Sequence, residues 1–153
     1  MAQLKTGAKA PAFALADQDG DTVKLADFKG RKLLLYFYPK ADTPGCTTQS
    51  CAVRDSKDDL STLGVDVLGI SPDKPSKQQA FDQKYGLGFP LLSDADHAVA
   101  ERYGVWGEKK NYGKTYMGII RSAFLIDADG RVEQAWYGVS PKDTVPKARA
   151  ALT

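Results

Sequence analysis

The two cysteines of the chain are the residues whose type and spacing are best suited to chemistry. They are Cys46 and Cys51, within the stretch TPGCTTQSC at 43–51. This stretch follows an apolar run at 33–38 and contains Pro44, a pattern that predicts a strand followed by a helix beginning near Pro44. Cys46 would lie in the first turn of that helix, where unpaired backbone N–H groups and the helix dipole favour a thiolate. Cys46 is therefore the candidate nucleophile.

The spacing of the two cysteines limits how they could react with each other. In a regular helix, residues five positions apart have Cα atoms about 8–9 Å apart. A disulfide requires a Cα separation below about 7 Å, so the helix would have to unwind between Thr47 and Cys51 before the pair could be oxidised together. Two buried, inert cysteines are the alternative. Polar neighbours of Cys51, such as Gln49 and Arg54, and the turn residues before Cys46 favour partial exposure of both.

The composition is that of a soluble, folded protein. The chain has 153 residues, of which 42% are hydrophobic and 26% charged, and a formal net charge of +2. We expect a single domain over 1–153 and no nucleic-acid partner, because the lysines are scattered among carboxylates. No apolar run is long enough for a membrane span or a leader, which makes the cytoplasm the expected location. Two cysteines are too few for a disulfide scaffold.

The pattern along the chain alternates strands with helices and predicts an α/β fold. Buried strands are expected at 33–38, ending at Pro39, at 65–71 and at 122–127. The last of these should form a hairpin with 131–137 through an Asp-Gly turn, and a smaller hairpin at 13–15 and 23–25 should precede the sheet. Helices are predicted at 46–63, 74–85, 96–103 and 143–152. The stretch 104–118, rich in Gly, Lys and Tyr, is expected to be the longest loop.

Residues 36–51, YFYPKADTPGCTTQSC, closely resemble the peroxiredoxin Q or bacterioferritin comigratory protein subfamily. They contain the peroxiredoxin pattern Pro-x-x-x-Thr-x-x-Cys as Pro39, Thr43 and Cys46. The second cysteine, Cys51, has the five-residue spacing that marks this subfamily. Further matches, which extend the resemblance along essentially the whole chain, lie at 7–13, 69–73 and 113–118, the last shortly before Arg121.

The resemblance implies a thioredoxin-like α/β fold, with a central mixed β-sheet flanked by helices and an N-terminal β-hairpin. It also implies a thioredoxin-dependent peroxidase that reduces hydrogen peroxide and organic hydroperoxides, in antioxidant defence and cell redox homeostasis. Cys46 matches the peroxidatic cysteine, which becomes sulfenic acid, and Cys51 the resolving cysteine, which would form an intramolecular disulfide with it. A dithiol such as thioredoxin would then restore both thiols. No cofactor, metal or membrane is implied, and a monomer is expected.

Three further residues receive roles from the resemblance. Thr43 would hydrogen-bond the peroxide through its hydroxyl, and Pro39 would shield the thiolate from water. Arg121 would lower the pKa of the thiol and stabilise the charge that develops on the leaving oxygen. Considered without the resemblance, Thr43 is more simply a turn or cap hydroxyl and Arg121 a solvated charge at a strand end.

Other kinds of protein fit the sequence less well. A thiol-disulfide oxidoreductase would use Cys-x-x-Cys. A cysteine hydrolase would need a histidine base, and His97, the only histidine, reads as a surface residue at a helix start. A zinc-binding module would need more ligands than two cysteines and one distant histidine. A redox-sensing protein without turnover could use the same cysteine pair and the same helix opening, and that alternative stays open.

Overall fold

The computed structural model describes residues 3–152. In chain order its strands and helices are β1 (Ala14–Ala16), β2 (Thr22–Lys24), β3 (Lys32–Phe37), α1 (Pro44–Thr62), β4 (Val65–Ser71), α2 (Pro75–Tyr85), β5 (Leu91–Ser93), α3 (Ala98–Arg102), β6 (Trp106–Asn111), β7 (Lys114–Ile119), β8 (Ser122–Ile126), β9 (Val132–Tyr137) and α4 (Thr144–Leu152). Five strands form a central mixed sheet in the order β5-β4-β3-β8-β9. Strands β3, β4 and β5 are parallel, whereas β8 runs antiparallel to both β3 and β9. This is the expected thioredoxin-like arrangement.

The middle strand, β3, is buried on both faces, as its uninterrupted apolar sequence predicts. Leu34 and Tyr36 point into the core that the sheet forms with α1, α2 and α4. Leu33, Leu35 and Phe37 point to the opposite face, where α3 and the N-terminal segment pack. Because β3 is central, the loop and helix that follow it start from a rigid edge of the sheet.

Most of the predicted elements are confirmed, with small shifts at their ends. The N-terminal hairpin forms from β1 and β2, and β8 and β9 pair through the expected turn, in which Asp127 Oδ1 accepts hydrogen bonds from the N–H groups of Asp129 and Arg131. The four predicted helices are α1 to α4, of which α3 is shorter than expected. Strand β5 is an additional element that the sequence analysis does not predict. Among the described residues, no helix is long and apolar enough to cross a membrane.

The prediction of a loop at 104–118 is wrong. Most of this stretch forms an antiparallel hairpin of β6 and β7, with Trp106 paired to Ile119 at its base. Its turn places Tyr112 and Gly113 at φ values of 51° and 77°. A type I′ turn of this kind favours Asn-Gly at the two central positions. Because Tyr occupies the first of them, the hairpin signal in the sequence was weak.

Candidate active site

Cys46 is the third residue of α1 and lies under the elements that pack around the helix start. Its exposed fraction is only 1%, so the expectation of partial exposure is wrong for this cysteine. It belongs to the same core cluster as Tyr36, Tyr38 and Ala123 from the sheet. The polar neighbours of Cys46 in sequence could not reveal this burial, because strands distant in sequence provide the cover. Cys51, in contrast, is partly exposed as expected.

The start of α1 offers free backbone donors next to the sulfur. Pro44 has no N–H, and Thr47 N makes a helical bond to Thr43 O of 2.8 Å, so the N–H groups of Gly45 and Cys46 have no acceptor within the helix. Thr43 is the N-cap residue, but its hydroxyl does not cap the helix and instead donates to Lys40 O at 2.7 Å. The oxygen of that hydroxyl therefore keeps its capacity to accept a hydrogen bond.

Arg121 is brought directly to the cysteine by the sheet. It lies between β7 and β8, and its Nη2 donates toward Cys46 Sγ at 3.5 Å. The approach is close, because a Cβ at position 45 would lie 3.0 Å from Nη2 and 3.4 Å from Pro141 Cγ, so any larger residue there would press on the guanidinium. A fixed positive charge beside a sulfur at a helix N-terminus favours the thiolate over the thiol.

Gln49 holds the arginine in place. Its Oε1 accepts a hydrogen bond of 2.7 Å from Arg121 Nη1, and its Nε2 donates to Thr144 Oγ1 at 2.9 Å. The Thr144 hydroxyl in turn donates to Ser140 O at 3.3 Å. Gln49 and Thr144 are fully buried. One side chain of α1 therefore connects the arginine at the cysteine to the start of α4, a role that the sequence analysis missed.

The substitution Gln49→Leu is expected to destabilise the fold and slow the reaction of Cys46 with peroxide. It leaves Arg121 Nη1 without its acceptor and takes from the buried Thr144 hydroxyl the donor that it accepts from, which costs about 1–3 kcal/mol. Because Arg121 loses one of its two anchors, the peroxide rate constant should fall about tenfold. Urea unfolding and stopped-flow oxidation measure the two effects, with the exposed Gln79→Leu as control. A loss of stability with an unchanged rate would show that Gln49 has no part in positioning Arg121.

The loop between β3 and α1 is fixed by the end of β4. Asp73 Oδ2 accepts hydrogen bonds of 2.7 Å from both Ala41 N and the Ser71 hydroxyl. Pro39 is half-buried and lies two residues after the end of β3, at the start of this loop. Within residues 3–152, no side-chain hydrogen bond joins Thr43 to Cys46. The structure thus brings Arg121 into contact with Cys46. Thr43 and Pro39 lie on the anchored loop that leads into α1.

Both cysteines are free thiols in one continuous helix. Helix geometry keeps their Cα atoms about 8–9 Å apart, beyond the reach of a disulfide. The turn between them is also held from outside the helix, because Ser50 Oγ shares a buried hydrogen bond of 2.7 Å with Tyr36 OH. Any unwinding that joins the cysteines must break this bond and those of Gln49, each worth about 0.5–1.5 kcal/mol.

The Tyr36 phenol is a neutral neighbour of the two thiols. Burial raises the pKa of Tyr36 far above its ordinary range. The hydrogen bond to Ser50 lowers this pKa, and the charges of Cys46 and Cys51 raise it. The phenol therefore keeps its proton at any physiological pH. It can stabilise Ser50 without adding a negative charge beside the Cys46 thiolate.

His97 lies away from this chemistry at the start of α3, as predicted. It is the N-cap residue of that helix, and its ring stacks on Trp106 with centroids 3.7 Å apart. Among residues 3–152, no three His, Cys, Asp or Glu side chains are grouped so that they could hold a metal ion.

A thioredoxin-like sheet that presents a cysteine at a helix N-terminus, beside an arginine, is the arrangement of a thiol-dependent redox protein. Comparison with known proteins agrees. Residues 6–135 match the AhpC/TSA family. The chain is 59% identical over 136 residues to peroxiredoxin Bcp of Escherichia coli (strain K12). The matched residues make up 89% of this chain and 87% of that relative. It is 48% identical over 149 residues to peroxiredoxin Bcp of Bacillus subtilis (strain 168), covering 97% and 95%.

A solved structure shows the same fold. The bacterioferritin comigratory protein of Xanthomonas campestris matches with a TM-score of 0.89 and 35% identity, over 97% of each chain. The chain therefore belongs to the AhpC/TSA family, as a peroxiredoxin of the Q or bacterioferritin comigratory type. It is a thiol-dependent peroxidase, with a peroxide as substrate and a thiol as reductant.

Proposed function

We propose that the protein reduces hydrogen peroxide and organic hydroperoxides through a sulfenic acid on Cys46, which Cys51 resolves as an intramolecular disulfide. The observation that carries this proposal is the contact of 3.5 Å between Arg121 Nη2 and Cys46 Sγ at the start of α1. Alkyl peroxide reduction activity is named for the Xanthomonas campestris relative, which supports organic hydroperoxides as substrates here.

In the first step the Cys46 thiolate attacks the terminal oxygen of the peroxide. The S–O bond forms as the O–O bond breaks, so the sulfur is oxidised by two electrons and the peroxide is reduced to an alcohol or water once its leaving oxygen takes up a proton. Thr43 accepts a hydrogen bond from the peroxide, and Pro39 keeps water from the sulfur. The Arg121 guanidinium and the N–H groups of the helix start stabilise the charge that develops on the leaving oxygen.

In the second step α1 opens between Thr47 and Cys51. The Cys51 sulfur then attacks the sulfenic acid, forms the disulfide and releases water. Opening breaks the hydrogen bonds of Gln49 and Ser50. The free energy of these bonds therefore contributes to the equilibrium between the form that binds peroxide and the form that makes the disulfide.

In the last step an external dithiol, thioredoxin or a similar protein, reduces the disulfide by exchange and is itself oxidised to a disulfide. The helix can then re-form with both thiols free. We place this cycle in the antioxidant defence and redox homeostasis of the cytoplasm. We propose a monomer as the working form, because the disulfide closes within one chain.

The proposal is tested by mixing the reduced protein with one equivalent of hydrogen peroxide at neutral pH and following intact mass and free thiols. The native protein should rapidly lose both thiols and the mass of two hydrogens. Cys51→Ser should instead gain one oxygen and form an adduct with a sulfenic-acid reagent. Turnover should follow when thioredoxin and its reductase are added. Oxidation no faster than that of free cysteine would overturn the peroxidase mechanism, and oxidation without turnover by any dithiol would favour a redox sensor.

A further inference from the structure

A second cation lies on the hairpin of β6 and β7, the element that leads into Arg121. Lys109 is half-buried, and its Nζ donates a hydrogen bond of 2.8 Å to Ile119 O. Among the described residues, no carboxylate forms an ion pair with it. A lysine whose charge is partly removed from water usually has an anionic partner. With no carboxylate of residues 3–152 as partner, the anion that pairs with the Lys109 ammonium has to be another group.

The hairpin directs this side chain toward Arg121. The Lys109 stem crosses Gly118, where an added Cβ would lie 3.1 Å from Lys109 Cδ. Its amino group is bonded to the carbonyl of Ile119, two residues before Arg121. The base of the hairpin is fixed at the same place by a hydrogen bond of 2.7 Å from Ile120 N to Val105 O. The position of Lys109 relative to Arg121 is thus set by backbone contacts as well as by its own flexible chain.

The charges of this region act on one another. Burial lowers the pKa of Lys109, the positive charge of Arg121 lowers it further, and the negative charge of Cys46 raises it. The neighbouring charged residues on its own hairpin, Glu108 and Lys110, are both exposed to solvent. The hydrogen bond to Ile119 O places the Lys109 ammonium two residues from Arg121, whose Nη2 contacts Cys46 Sγ. The sulfur of Cys46 is the anion-forming group of that site.

We propose that Lys109 is a second cation of the peroxidatic site, which acts with Arg121 to favour the Cys46 thiolate and to attract anions to it. The effect of Lys109 on the reaction with peroxide rests on the proposed function. Its effect on the ionisation of Cys46 does not. Lys109 is a positioning residue: it contributes a field at the sulfur and takes no part in bond making. Charge of this kind acts over several ångströms in a partly buried site and weakens in salt.

The test uses the Cys51→Ser protein, so that Cys46 is the only thiol. Lys109→Met removes the charge and keeps the stem, while Lys109→Gln removes the charge and keeps a hydrogen-bond donor. Lys109→Arg restores the charge. Lys110→Met is the matched control, because adjacent residues of a strand point to opposite faces. Two quantities are measured: the pH midpoint of thiolate formation from ultraviolet absorbance, and the ratio of alkylation rates with iodoacetate, an anion, and iodoacetamide, which is neutral.

Lys109→Met and Lys109→Gln should each raise the pH midpoint by about half a unit and lower the iodoacetate-to-iodoacetamide ratio roughly threefold. Lys109→Arg and Lys110→Met should match the parent protein in both quantities. The proposal would be overturned if Lys109→Gln did not show the effects of Lys109→Met. It would also be overturned if Lys110→Met showed the same effects. Neither readout uses peroxide, so a failure of the peroxidase mechanism would be seen separately, as slow oxidation of a protein whose alkylation still depends on Lys109.

Discussion

Cys46→Ser should abolish peroxide reduction, with a loss of roughly 10³-fold or more in the second-order rate constant. A serine hydroxyl does not ionise at neutral pH, and its oxygen cannot form the counterpart of a sulfenic acid. Neither the helix start nor Arg121 can compensate for the loss of the thiolate. Stopped-flow consumption of hydrogen peroxide, with dithiothreitol as reductant, measures the loss.

The matched control for this experiment is Cys51→Ser, which should keep the first oxidation step at nearly the native rate. Cys51 lies in the interior of α1, where its own N–H is used by the helix, and within residues 3–152 no arginine donates a hydrogen bond to its sulfur. If Cys46→Ser still reacted with peroxide and Cys51→Ser did not, the assignment of the two cysteines would have to be reversed.

Arg121→Met should lower kcat/KM for hydrogen peroxide by about 10²- to 10³-fold, the usual cost of losing a donor to charge that develops in the transition state. The methionine removes the charge at Cys46 Sγ and leaves the buried Gln49 amide oxygen without its donor. Arg121→Lys should recover only part of the rate, because an ammonium cannot contact the sulfur and the amide at the same time with fixed geometry.

Steady-state assays over a range of peroxide concentrations test this second prediction. The control is Arg131→Met, because Arg131 is an exposed arginine in the turn between β8 and β9. A rate for Arg121→Met within a factor of about three of the native protein, with the fold intact by circular dichroism, would contradict the role of Arg121.

The framework of the site follows from short-range features of the sequence. A continuous apolar run makes β3, and a proline followed by small and polar residues begins α1, so Cys46 had to lie at a helix start. The separation of Cys46 and Cys51 along one helix also follows from local geometry, because five helical positions have a fixed rise and rotation.

The contacts that surround the sulfur do not follow from such features. The hydrogen bonds of Arg121 to Cys46 and Gln49 join residues 75 and 72 positions apart, and they depend on the register of β3 with β8. Only the resemblance to a known family pointed to Arg121. For Gln49 the one available signal was its place three residues after Cys46 on the helix, which does not identify its partner.

The sequence by itself therefore determined the strand, the helix start, the cysteine spacing and the class of chemistry, because each depends on residues close together in the chain. Tertiary structure alone decided that Cys46 is buried, that Gln49 holds Arg121, and that Lys109 donates to the carbonyl of Ile119, two residues before Arg121. The physical reason is that burial and charge depend on distances in space. Those distances are set by sheet pairing and by a hairpin whose turn residues gave only a weak signal.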